Sequence, residues 1–173
     1  MKGVIIQCTK DLVSKLAGYE KWEEILEKSG LPKDLRLLPN SDIDDSQFMH
    51  VVSIIMKEMN LDIEQLADAF GDYWVNVFSQ KLYHSFYRRR NRAKDFLLKM
   101  DWVHQVMTQN MERSRPPRFE YLEPSENELI MVYSSPRNLI DFVVGLAKGV
   151  GKFYNEKLEV KKLGNDKVHI TFF

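Results

Sequence analysis

Cysteine is almost absent from this chain of 173 residues: Cys8 stands alone. No internal disulfide can close and no thiolate-rich zinc site can be built from it, which suits a reducing compartment such as the cytoplasm. A charge excess of one sign is also missing, because 25 Lys and Arg face 25 Asp and Glu. Binding to a phosphate backbone needs a net basic face, so nucleic acid is a poor partner for this composition. Long hydrophobic runs are missing too. The opening run Val4-Ile5-Ile6 is too short for a secretory core, and Lys10, Asp11 and Lys15 interrupt the residues after it, so neither a signal peptide nor a membrane span is expected. Internal repeats and low-complexity segments are lacking. The remaining composition, 44% hydrophobic and 29% charged over this length, is enough for one domain with a real core and too little for two catalytic modules.

The first two-thirds carry apolar residues at three- and four-residue spacing and predict helices over 3–16, 19–29, 46–59, 63–82 and 93–111. Gly30 and Pro32 stop the second, and Asp44 or Asp45 can cap the third. Leu66, Phe70, Trp74, Val77 and Phe78 form an aromatic stripe on the fourth, the pattern of a packed core face. The dense basic run 88–92 reads as a solvated loop or helix start. Pro116 and Pro117 end the helical region. Beyond them 119–122 and 128–133 predict two antiparallel strands, 134–154 a helix, and 157–163 with 167–173 a hairpin about Gly164-Asn165-Asp166.

Of four histidines, His50 and His84 lie among polar residues, and His169 sits in the last strand with no acidic or thiol partner nearby in sequence. His104 differs, sharing a helical side with Met100, Val103 and Met107. That is the pattern of a packed core histidine. It is equally what a five-coordinate haem iron needs, a neutral imidazole on an apolar wall that excludes water. Haem propionates would then need donors, and Tyr133, Ser135 and Arg137 supply two hydroxyls and a planar guanidinium at alternate positions where a strand leads into a helix.

His104, the Pro116-Pro117 pair and the Tyr133-x-Ser135-x-Arg137 element occur in the order and approximate spacing of a known family. With the Met1-Lys2-Gly3 opening, Ala69-Phe70-Gly71 and Gly145-Leu146, the chain resembles the haem nitric oxide/oxygen binding (H-NOX) domain over nearly its whole length. The resemblance implies an α+β fold: a helical N-terminal part (1–60), then a haem-binding part (61–173) ending in an antiparallel four-stranded sheet packed with helices, with haem b buried between. It implies His104 as the iron ligand, Tyr133, Ser135 and Arg137 on the propionates, Pro117 against the porphyrin, and Ile5, Phe78, Met100 and Leu146 lining the cavity. It implies no metal beyond the haem iron and no catalysis.

O2-binding members hold the bound gas with a distal tyrosine, and the matching position here is Phe142. Bound O2 carries negative charge and gains from a donor, whereas NO binds ferrous iron without one, so the expectation is a bacterial sensor selective for NO and CO. The chain has no room for an output module, and by resemblance the partner is a sensor histidine kinase or a cyclic-di-GMP enzyme. Two other readings stay open: an O2-binding member taking its donor from Trp74 or Tyr73, with Thr9 a further variable position, and a haem-free interaction domain in which the aromatic stripe is only core.

Overall fold

A computed structural model describes residues 1–173 as two compact units, Met1–Leu66 and Ala67–Phe173. In the first, α1 (Gly3–Ala17), α2 (Tyr19–Lys28) and α3 (Asp45–Met59) pack around Leu12, Val13, Trp22, Ile25, Leu26, Val51 and Ile55. Local signals set these helix ends. Gly18 turns between α1 and α2 at φ 91°, a left-handed value that costs a glycine little. Of the two aspartates expected as caps, Asp44 takes the role, accepting from the amides of Ser46 at 2.8 Å and Gln47 at 3.3 Å. The chain start is tied down, with the Met1 amino group on the Asp45 carboxylate and the Ile43 carbonyl.

The second unit begins within α4 (Ile63–Tyr73). The single helix expected over 63–82 is in fact longer and interrupted: α4 passes into a π-helical turn, Trp74–Phe78, and then into α5 (Ser79–Arg88), which kinks at Tyr83. Side chains take up the carbonyls that a π turn releases from the regular ladder. Gln80 Nε2 donates to the Val75 carbonyl at 2.7 Å and Asn76 Nδ2 to the Asp72 carbonyl at 3.2 Å, while the same Nδ2 also ties the turn to the Gly149 carbonyl at 3.2 Å.

The helix expected over 93–111 is likewise two, α6 (Ala93–Leu97) and α7 (Met100–Thr108). The break has a cause invisible to periodicity: the Asp101 amide donates to Tyr121 Oη at 3.0 Å instead of to its own ladder. The next helix, α8 (Ile140–Phe153), starts six residues later than the expected 134. The Ser135 hydroxyl accepts from the Arg137 amide at 3.3 Å, Asn138 is left-handed, and the Leu139 amide is taken by Tyr133 Oη at 3.2 Å, which holds 135–139 as a turn.

Strands β1 (Arg118–Leu122), β2 (Glu128–Ser134), β3 (Leu158–Leu163) and β4 (Lys167–Phe172) form one antiparallel sheet in the order β1-β2-β4-β3. Phe119 pairs with Tyr133, Tyr121 with Met131, and Met131 with Val168. Alternation sends Phe119, Leu129, Met131, Tyr133, Val168, Ile170 and Phe172 into the core with Ile140, Val143, Ala147 and Val150 of α8. Helix α8 also meets α4 backbone to backbone. A Cβ added at Gly145 would lie 2.0 Å from the Ala67 carbonyl oxygen, and one at Gly149 would lie 2.5 Å from that of Gly71. No helix is long and apolar enough to cross a membrane.

Candidate functional site

His104 projects from α7 against the sheet. Its ring lies 5.7 Å from that of Phe119 at an interplanar angle of 28°, and Phe119 in turn lies 5.7 Å from Tyr133. The imidazole Nδ1 is enclosed and has no hydrogen-bond partner. Buried polar atoms are nearly always paired, so an orphan of this kind marks a place where something beyond folding has fixed the residue. Burial pushes the imidazole down to about 4, against a weaker upward pull from the Asp101 charge, which keeps the ring neutral at neutral pH. No cluster of three or more His, Cys, Asp or Glu side chains is arranged to hold a metal ion. A lone neutral imidazole suits a metal whose other ligands come from a macrocycle.

The loop after α7 leads through Pro116 and Pro117, both half-buried, into β1. Asp101, in the first turn of α7, is the polar centre of this region. Its carboxylate accepts from Arg118 Nε at 2.8 Å and Nη2 at 3.0 Å, from the Phe119 amide at 2.9 Å, and from Gln105 Nε2 at 2.7 Å. The Arg118 guanidinium holds this carboxyl down at about 2.

Tyr133 is buried at the end of β2, whereas Ser135 and Arg137 lie in the turn before α8. Tyr133 is in the strand, as expected, while Ser135 and Arg137, expected at the start of the following helix, lie instead in the turn that precedes it. Arg137 Nη1 donates to the Arg115 carbonyl at 2.6 Å, which links this turn to the segment before the prolines. Hydroxyls and a guanidinium are the donor types that suit carboxylates.

A second group of aromatic side chains spans α4, the π turn and α8. Trp74 stacks with Phe70 at 6.0 Å and with Phe78 at 5.6 Å, while Phe142 meets Phe70 edge-on at 5.5 Å. Leu146 and Met100 pack as half-buried residues against the core of this unit. Ile5 lies on α1 in the other unit, half-buried, and the Thr9 hydroxyl is committed to the Ile5 carbonyl at 2.8 Å. Tyr83 was not anticipated: its ring lies 6.5 Å from Trp74, and burial pushes its phenol up. Nor were Phe119 and the Asp101 centre anticipated. The three-residue offset of Asp101 from His104 was visible in sequence, but its partners on β1 were not.

The remaining histidines are accounted for. His50 and His84 are exposed. His169, expected to lack an acidic partner, has one across the sheet, because its Nε2 lies 3.0 Å from Glu128 Oε1 on the neighbouring strand. In the basic run, Arg88 ends α5 and Arg92 precedes α6, so 89–92 is a connecting loop.

An enclosed unpartnered imidazole, a largely apolar aromatic wall and a turn carrying hydroxyl and guanidinium donors are chemically compatible with a haem and its two propionates. Known structures agree with this fold. An oxygen-binding H-NOX domain related to soluble guanylate cyclases, in its oxygen complex, superposes with TM-score 0.83 at 25% identity, covering 99% of this chain and 95% of that one. A mutant of the T. tengcongensis H-NOX gives 0.85 at 26% identity, with 99% and 97% covered. A Cs H-NOX mutant carrying an unnatural cyanophenylalanine gives 0.87 at 26%, with 99% and 96% covered. The profile of haem-NO-binding domains matches residues 2–162. The chain belongs to the haem-NO-binding, or H-NOX, family.

Proposed function

We propose that this chain is a haem-based gas sensor that takes NO and CO, excludes O2, and signals to a separate protein in the bacterial cytoplasm. The observation that carries the reading is the enclosed, unpartnered His104 nitrogen on a helix that lies against the sheet. When bound, haem b would supply the ferrous iron that captures a diatomic gas. His104 provides the single protein ligand, in the neutral form that burial enforces. Arg137, with the hydroxyls of Tyr133 and Ser135, orients the macrocycle through its carboxylates. Pro117 would contact the macrocycle, Phe78, Met100 and Leu146 would supply apolar surface that keeps water from it, and family likeness gives Ile5 the same apolar role.

Selectivity rests on Phe142. A phenylalanine there offers no hydrogen to a partly negative bound dioxygen and does nothing to hinder NO. The readout is a change in the restraint on α7 through His104. A coupling of about 1–3 kcal/mol between gas and partner binding is enough to alter the partner 5- to 150-fold. A sensor histidine kinase or a cyclic-di-GMP enzyme is the partner class proposed by family likeness.

The test is the visible spectrum of the reduced, haem-loaded protein under argon, in air and with NO, beside His104→Ala. The reading requires a five-coordinate Soret band that air leaves in place, NO shifts and His104→Ala disrupts. A stable oxy complex would instead favour the O2-binding reading, with the donor supplied by the Trp74 indole or the Tyr73 phenol. Failure to retain stoichiometric haem would leave an interaction domain.

A further inference from the structure

The helix that carries His104 has a polar anchor at its start. None of the nine residues of α7 is fully buried, so it lacks the deep apolar contacts that retain most helices. Its anchorage is polar and sits in the first turn, where the Asp101 carboxylate grips the Arg118 side chain and the Phe119 amide, and the Asp101 amide donates to Tyr121 Oη. All three of those partners belong to β1. At the other end Thr108 Oγ1 donates to the His104 carbonyl at 2.7 Å, and the Met111 amide to the Thr108 carbonyl at 2.9 Å.

The same carboxylate that fixes the start of the helix also fixes the amide of Phe119, the residue whose ring faces His104. A carboxylate at a helix N-terminus is favoured by the exposed amides there as well. Both members of the His104–Phe119 stack are therefore referenced to one group. Asp101 and His104, at i and i+3, lie on one side of the helix, so the anchor and the imidazole meet the sheet together.

We propose that Asp101 is the positioning residue for His104: it pins the N-terminal end of α7 to β1 and sets the imidazole over Phe119. Its consequence at the iron rests on the proposed haem function; the pin and the seating of the imidazole do not.

Amide hydrogen exchange on the haem-free full chain tests the pin directly, in Asp101→Asn and in Arg118→Gln, the second removing the bidentate arm while sparing the aspartate. Amides of 102–108 are expected to exchange at least about tenfold faster in both variants, with 158–172 unchanged, because each change removes charge-assisted bonds from that end alone. Exchange within about twofold of the parent, or equal acceleration throughout the sheet, overturns the proposal.

In the ferrous haem-loaded variants the iron–histidine stretching band should broaden and move, and an unchanged band refutes the positioning role. Should no haem be taken up at all, the functional reading falls while the exchange experiment still decides the pin.

Discussion

Replacing Gly145 with alanine asks whether the crossing of α4 and α8 shapes the aromatic wall. The added Cβ would lie 2.0 Å from the Ala67 carbonyl oxygen and 2.4 Å from its carbonyl carbon, whereas unstrained non-bonded contact needs about 3.5 Å. The obstacle is helix backbone, which cannot rotate aside as a side chain does. The two helices must therefore part by about 1.5 Å, in an interior packed too densely to absorb the shift. Overpacking costs about 1–3 kcal/mol, and a clash with backbone belongs near the upper end. At about 2–4 °C per kcal/mol for a chain of this length, the melting temperature should fall by about 6–12 °C. The same movement draws Phe142 away from Phe70, whose rings now touch edge-on at 5.5 Å. Near-ultraviolet circular dichroism from that cluster should weaken alongside the shift seen by calorimetry. Gly30→Ala is the comparison: nothing lies within 4 Å of its added Cβ, but its φ of 72° is left-handed, so it should cost only about 1–2 kcal/mol. If Gly145→Ala melts no lower than Gly30→Ala, the close approach does not constrain the helices and the reasoning fails.

Other changes test other parts of the site. Asp101 is held at about 2, below an ordinary aspartate. Its carboxylate therefore contributes stability that is complete above about pH 4 and lost as pH falls through 2. After discounting for the exposure of Arg118, that amounts to about 1–2 kcal/mol, and Asp101→Asn should abolish this part of the acid transition in urea titrations; an unaltered pH profile would refute it. His104→Leu should raise the urea midpoint of the haem-free protein by about 1 kcal/mol, because it removes an enclosed nitrogen without a partner, while abolishing the five-coordinate Soret band. A lower midpoint would mean the ring is satisfied in solution. Phe142→Tyr supplies a phenol at the distal position and should produce a stable oxy spectrum in air; its absence would place Phe142 away from the gas. Lys94 is buried, with Nζ on the Glu126 carbonyl at 2.9 Å and on Glu123 at 2.9 Å. Lys94→Met should cost about 1–2 kcal/mol by leaving that carbonyl bare, and an unchanged midpoint would show the β1–β2 turn to be solvated instead.

The parts of this fold that were legible in the sequence are those written in short-range pattern. The first three helices, the strand pairings and the hairpin at Gly164 lie within a residue or two of their expected limits, because apolar spacing, caps and left-handed glycines act within one or two turns of chain. The misplaced boundaries share a different origin. The break before α7 depends on Tyr121 capturing the Asp101 amide across 20 residues, and the late start of α8 depends on Tyr133 Oη capturing the Leu139 amide after the strand has positioned it. The π turn is likewise tied down from afar, by Asn76 donating to the Gly149 carbonyl, 73 residues on. At Asp101 and Leu139 a tyrosine hydroxyl competes for an amide that local propensity assigns to a continuous helix, and the tertiary fold, not the apolar spacing, brings that competitor into place.

The same distinction separates what could be anticipated of the site from what could not. His104 stood out because a titratable ring on an apolar helical face is a local anomaly, and the Tyr133-x-Ser135-x-Arg137 spacing is local as well. Asp101, three residues before His104, looked like an ordinary first-turn acid. Its role emerges only once Arg118 and the Phe119 amide arrive from β1 at 2.8 and 2.9 Å. The structure thus divides the labour. A residue that would meet a ligand is left chemically unsatisfied and so remains visible in sequence as a misfit. The residue that aims it is fully satisfied by distant partners and looks, in sequence, like nothing in particular.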